Sequence, residues 1–170
     1  MNYGEEETLD QRRIDLAREE DRAEILALYR AQIGREFCPW TEHYPSDEEI
    51  TFDLSRDALF VMREEGRIIA AVSLEEDPQV DALPCWTPEL QPGGEIARVA
   101  VHPDFQNQGI ARQMVQFGLD RLKERGYRSF HGIVNRLNEK ALRSYAVFGF
   151  RKLGECEMYE QSFYCYELKL

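Results

Sequence analysis

Two stretches of the chain hold residue types whose spacing could do chemistry. In the first, Val99-Ala100-Val101 runs through His102-Pro103-Asp104-Phe105 into Gln106-Asn107-Gln108-Gly109-Ile110-Ala111-Arg112. A strand-like run, a polar turn and a helix opening on glycine bring unpaired backbone N–H groups and the positive end of a helix dipole to one point. Such a terminus binds phosphate, and Gly109, the small Ala111 and the cation of Arg112 add access and charge. The stretch is no dinucleotide fingerprint, since G-x-G-x-x-G is absent, and no P-loop, since no Gly-Lys-Ser/Thr follows. In the second stretch, Asn138, Ala141 or Leu142, and Tyr145 recur at three- and four-residue intervals and share a helix face. Asn138 also suits a helix N-cap, and Tyr145 a core aromatic. A tyrosine phenol, ionising at about 10, can act as a proton donor.

Taken together, Gln106-x-x-Gly109-x-Ala111 and, after one helix and one strand, Asn138-x-x-Ala141-x-x-x-Tyr145-x-x-x-Gly149-Phe150 resemble the GNAT acetyltransferase superfamily. The similarity is specific over residues 96–150 and loose, by element order, elsewhere. It implies an α/β (α+β) GNAT fold: a central mixed β-sheet of about seven strands flanked by about four helices, with a V-shaped opening between strands 4 and 5. It implies acetyl-CoA as cosubstrate. Val99, Ala100 and Val101 would pair with the pantetheine arm on a strand opened by a bulge. Gln106, Asn107, Gln108, Gly109, Ile110, Ala111 and Arg112 would hold the pyrophosphate, and Asn138 would touch the coenzyme arm. Ala111 stands where many members have glycine. Tyr145 is then the expected general acid.

An amine acceptor is protonated at neutral pH and must lose a proton before it attacks. Glu95 lies eleven residues before Gln106, the spacing of the glutamate base in the histone-acetyltransferase branch, and is the first candidate. Glu75, Glu76 and His43 are weaker ones. Aromatics and carboxylates can hold a cationic amine, which nominates Trp40, Glu42, His43, Tyr44 and Glu75 for the acceptor, with the loop carrying Trp86 as a lid. Trp40 and Tyr44 also read as packing residues.

The elements that must position these groups follow from pattern. Ile14–Ala17 reads as a strand, and Glu19-Glu20-Asp21 opens a helix with Ile25, Leu28, Tyr29 and Ile33 on one face and Gly34 as its stop. Residues 35–45 are a loop with Phe37, Trp40 and Tyr44. Ser46 with Glu49 is a capping box. Ala58–Met62 and Arg67–Leu74 form a hairpin through Glu64-Glu65-Gly66. Glu75–Gly94, with Pro78, Pro84, Pro88 and Pro92, reads as a long loop. Strand Ile96–His102, helix Gly109–Arg125 with Met114, Gly118 and Leu122 along one face, strand Arg128–Val134, helix Asn138–Phe148, and strands Phe150–Met158 and Ser162–Leu170 complete a mixed sheet.

The chain has 170 residues and a net charge of −11. That suits an acidic tail over residues 1–11 and one domain over 12–170, and it argues against a duplex nucleic-acid footprint. Residues 1–10 hold four acids and no base, unlike a secretory leader. No run approaches the roughly 18 apolar residues of a membrane span. A cytoplasmic chain with no membrane partner is expected, with Cys38, Cys85, Cys156 and Cys165 reduced. These cysteines and His43, His102 and His131 form no metal-ligand spacing, so no metal is expected. Charge is uneven: residues 1–92 carry 23 acidic and 9 basic side chains (net −14), and residues 93–170 carry 9 and 12 (net +3). The basic half matches a phosphorylated coenzyme, and the acidic half a small cationic amine. An N-acetyltransferase for such an amine, working by direct ternary-complex transfer, is the leading expectation. A protein or peptide acetyltransferase and a non-catalytic acyl-CoA sensor are the alternatives. Many members of the family are dimers, so a homodimer is compatible with the resemblance.

Overall fold

The computed structural model describes residues 12–36 and 38–170. The expected tail 1–11 and Phe37 lie outside the described residues. The strands are β1 (Arg12–Leu16), β2 (Leu59–Glu64), β3 (Arg67–Glu75), β4 (Gly93–Val101), β5 (Ser129–Asn135), β6 (Arg151–Met158) and β7 (Gln161–Lys169). The α-helices are α1 (Arg22–Arg30), α2 (Asp47–Ser55), α3 (Pro78–Asp81), α4 (Ile110–Glu124) and α5 (Glu139–Val147). The sheet runs β1-β2-β3-β4-β5-β7-β6. The pairs β1–β2, β2–β3, β5–β7 and β6–β7 are antiparallel. The pair β4–β5 is parallel, in the register Gly93↔Ser129 and Gly94↔Phe130. A seven-stranded mixed sheet with flanking helices and a short parallel contact between strands 4 and 5 is the expected architecture. Among the described residues, no helix is long and apolar enough to cross a membrane.

The chain groups into two compact units, residues up to Ser73 with Ala97–Val115, and Leu74–Ile96 with Gln116–Leu170. In the first, Ile25, Leu28 and Tyr29 of α1 and Ile50 of α2 pack with Leu59, Val61, Ala71 and Ala100. The helical stripe is shorter than its pattern suggested, because α1 ends at Arg30 and Ile33 is exposed. The capping box forms as expected. The Ser46 hydroxyl accepts from the Glu48 amide at 3.3 Å, and the Glu49 carboxylate accepts from the Ser46 amide at 2.7 Å. Replacing Ser46 with Ala removes one half of this cap, worth about 1 kcal/mol. The expected result is a Tm lower by about 2–4 °C in a thermal melt monitored by circular dichroism.

In the second unit the segment Glu75–Gly94 is not a free loop. Asp77 caps α3, accepting from the Gln79 amide at 3.0 Å, with Pro78 in the first turn, where its missing N–H costs nothing. Trp86 is buried, donates to the Val80 carbonyl at 2.7 Å and stacks on His131 at 4.5 Å. A buried, hydrogen-bonded tryptophan anchors this segment, so Trp86 does not work as a lid. His131 is itself buried, with Nε2 2.7 Å from Asp81 Oδ1. Its ring lies so close to Gly93 that any Cβ there would collide with it. Cys165 packs with Val80 and Trp86, and Cys85 and Cys156 border the same cluster.

Candidate acetyl-transfer site

The first unit holds the loop expected to bind the pyrophosphate. At Arg98 β4 takes a left-handed turn, φ 49°, an uncommon state for a side chain of this size. The strand itself continues through it to Val101. Beyond it, the Val101 carbonyl accepts from the Gln106 side-chain amide at 2.7 Å and from that of Gln32 at 3.0 Å. Gln106 thus folds the loop back onto its own strand. The His102 ring accepts from the Asp104 amide at 3.1 Å and caps a 3-10 turn over Pro103–Phe105. Asn107 and Gly109 both have positive φ, 62° and 76°.

Helix α4 makes its first internal bond from the Gln113 amide to the Gly109 carbonyl at 3.1 Å. The amides of Ile110, Ala111 and Arg112 therefore precede the helical ladder. No acidic residue stands in that first turn, and nothing lies within 4 Å of where a Gly109 Cβ would be. Open space beside a helix N-terminus with a nearby cation fits a pyrophosphate. Gln108 is held from the other side, its carbonyl accepting from Arg12 at 2.6 Å, while the side chain of Ile110 is buried in the core. Val99 is half-buried, and Ala100 and Val101 are buried.

The nominated acceptor loop divides. Trp40 meets Tyr29 edge-on at 5.5 Å and packs on the first unit's core, the bland alternative for that residue. Glu42 and His43 project into solvent, 3.6 Å from each other. Tyr44 accepts a hydrogen bond from Arg98 at 3.2 Å.

The second unit holds the groups suited to proton transfer. Tyr145, on α5, is half-buried among Phe130, Phe150 and Tyr166, with ring centroids at 5.9, 4.6 and 5.6 Å. Burial pushes its phenol above the usual value, and the negative charge of Glu95, then the Tyr166 phenol, push the same way. The structure thus brings the two expected catalytic residues within electrostatic reach. Asn138 caps α5, its oxygen accepting from the Ala141 amide at 3.1 Å. That bond leaves its amide nitrogen as the group for any coenzyme contact.

One feature escaped the sequence reading. The β6–β7 hairpin turns through Tyr159 and Glu160, both left-handed at φ 52° and 60°. The Tyr159 hydroxyl donates to Asp77 at 3.3 Å. Its phenol is raised by burial, then by Asp77, Glu95 and Glu75. Three carboxylates therefore bear on one exposed hairpin tip. Glu75 also lines a cavity of about 510 Å³ with Glu76, Asp81 and Tyr127. The expected strands Phe150–Met158 and Ser162–Leu170 left a three-residue gap, and the turn lacks the Asn-Gly or Asp-Gly that marks two-residue hairpins. Among the described residues, no group of three His, Cys, Asp or Glu side chains could hold a metal ion.

The model of the acetyltransferase (GNAT) family matches residues 9–150. The chain belongs to the GNAT acetyltransferase family. It is an N-acetyltransferase that uses acetyl-CoA. Solved GNAT structures share its fold at low identity. An N-acetyltransferase from Staphylococcus aureus Mu50 is 22% identical, with a TM-score of 0.68 over 93% of this chain and 98% of that one. The yncA putative acetyltransferase from Salmonella typhimurium, solved with its cofactor acetyl-CoA, is 17% identical, with a TM-score of 0.70 over 94% of each chain. The ribosomal-protein-S18-alanine N-acetyltransferase from Escherichia coli is 17% identical, with a TM-score of 0.68 over 93% of each. No curated protein matches the chain significantly in sequence.

Proposed function

We propose that this GNAT enzyme acetylates a small cationic amine by direct transfer within a ternary complex. The observation that carries the acceptor class is a set of acidic residues in one unit: Asp77 accepts from the Tyr159 hydroxyl at 3.3 Å, and Glu75, Glu76 and Asp81 line one cavity of about 510 Å³. Carboxylates and an aromatic face attract a protonated amine at a partly exposed mouth. Acetyl-CoA supplies an activated thioester. The amides of Gly109 to Arg112 bind its pyrophosphate, and β4 amides near Val99–Val101 face the pantetheine and polarise the thioester carbonyl. Glu95 removes a proton from the incoming ammonium, directly or through water. Tyr145 donates toward the sulfur as the C–S bond breaks. None of the cysteines takes a catalytic role in this reading.

The test is an acceptor panel scored by free coenzyme A thiol: polyamines and other basic amines, neutral and acidic amino compounds, and peptides with lysine or a free α-amine. Basic small amines are expected to give a kcat/KM at least about ten-fold above the neutral ones, since one charge-assisted contact is worth that much. Preference for peptides would assign the enzyme to protein acetylation, the class named for the Escherichia coli neighbour. Acetyl-CoA binding with no acceptor-dependent thiol release in any arm would overturn catalysis in favour of a coenzyme sensor.

A further inference from the structure

The left-handed residue in β4 is not glycine, and its side chain does not point to solvent. Arg98 is 3% exposed and faces Asp53 of α2, which is fully buried. Arg98 Nη2 donates to both Asp53 oxygens, at 2.8 and 3.0 Å, and Nε reaches Oδ2 at 3.3 Å. Asp53 also accepts from the Ser73 hydroxyl of β3 at 2.6 Å and from Arg56 at 2.8 Å. The remaining arm of the guanidinium, Nη1, donates to the Tyr44 hydroxyl at 3.2 Å. Tyr44 is half in solvent, on a loop closed by reciprocal backbone bonds between Thr41 and Tyr44 at 3.0 and 3.3 Å.

A bulky residue in this backbone region persists only where its surroundings over-determine it, and such residues cluster at functional sites. Here one guanidinium fixes the turn, clamps it to α2 and reaches a partly solvent-exposed loop. A guanidinium presents its donors in a rigid planar fork, so rotation of the strand at Arg98 must move Nη1 relative to Tyr44.

We propose that Arg98 is a positioning residue that couples the coenzyme strand to the 38–45 loop. When coenzyme settles against β4, the Arg98–Tyr44 bond orders the loop, and an ordered loop in turn favours the acceptor. Coupling of this kind is reciprocal. The inference rests on Val99–Val101 as the coenzyme-facing stretch, but not on the identity of the acceptor.

The experiment is amide hydrogen exchange at Thr41 and Tyr44, with and without acetyl-CoA, in the wild type, Tyr44→Phe and Arg98→Lys. Tyr44→Phe removes one hydroxyl from a partly solvent-exposed ring. Arg98→Lys keeps the charge opposite Asp53 and loses the fork. Acetyl-CoA is expected to slow exchange of both amides about ten-fold in the wild type, the scale of one charge-assisted hydrogen bond. In either variant it should leave them within about two-fold, and by reciprocity Tyr44→Phe should bind acetyl-CoA more weakly, by up to about ten-fold. With an accepted amine, Tyr44→Phe should raise the acceptor KM with kcat retained, and Arg98→Lys should add little to it. A wild-type loop indifferent to acetyl-CoA, or equal slowing in Tyr44→Phe, would overturn the coupling. Because exchange needs no acceptor, failure of the amine reading appears only in the acceptor panel.

Discussion

Replacing Tyr145 with Phe should lower kcat by about 10²–10³-fold, within the range for a general acid, with acetyl-CoA affinity within about three-fold. The ring's aromatic contacts survive the substitution, because Phe130, Phe150 and Tyr166 all meet it edge-on. Only the proton is lost. The measurements are steady-state kinetics with a saturating amine and direct titration of acetyl-CoA. A kcat equal to wild type, with single-turnover data showing that chemistry limits the rate, would remove the assignment.

The direction of the Tyr145 shift sharpens this role. Burial and the Glu95 charge raise the phenol above its ordinary value, so it stays protonated throughout the neutral range. That guarantees a donor but weakens the acid, since a thiol already ionises at about 8.5. Part of the penalty is removed by the reaction itself. In the proposed mechanism Glu95 accepts the amine's proton and loses its charge, and one cause of the raised phenol goes with it. Base and acid are thus linked through a single field. Replacing Glu95 with Gln should therefore lower the Tyr145 pKa, because removing a nearby negative charge favours phenolate. Ring-labelled tyrosine NMR titration reads this, and an unshifted or raised Tyr145 would break the link.

The two motifs were legible as local structure. A helix N-terminus, a preceding strand and a cap are set by neighbours in sequence, so Gly109, Asn138 and the Ser46–Glu49 box stand where pattern puts them. The surroundings of Asp77 and Tyr159 were not legible, because they depend on which distant side chains meet. Asp77 read as loop, yet it caps a short helix and receives Tyr159 from a hairpin 82 residues away. Trp40, nominated for the acceptor, and Trp86, on the loop read as a lid, are packing residues. Composition cannot distinguish an aromatic that stacks on a substrate from one that stacks on Tyr29 or His131. Arg98 directly precedes the first motif and carried no signal of burial, since an arginine in a strand is expected to reach solvent.

That buried arginine underlies the largest expected stability effect. Asp53→Ala leaves Arg98, at 3% exposure, without the carboxylate that accepts its fork. Breaking a buried pair from one side costs about 3–5 kcal/mol, because the surviving charge is stranded away from water. Against a total stability of about 5–15 kcal/mol, the variant should melt roughly 6–20 °C lower or fail to accumulate folded. Two further variants separate charge from packing. Asp53→Asn keeps the shape but only a neutral acceptor, and should fall between. Asp53→Leu combined with Arg98→Met removes both charges, and should recover much of the loss, as apolar replacement of buried pairs does elsewhere. That double variant should still lose the loop coupling, since it has no donor for the Tyr44 hydroxyl. A melting temperature for Asp53→Ala within about 3 °C of wild type would mean that Arg98 finds water or another anion, and that the pair does not hold β4 in its turn.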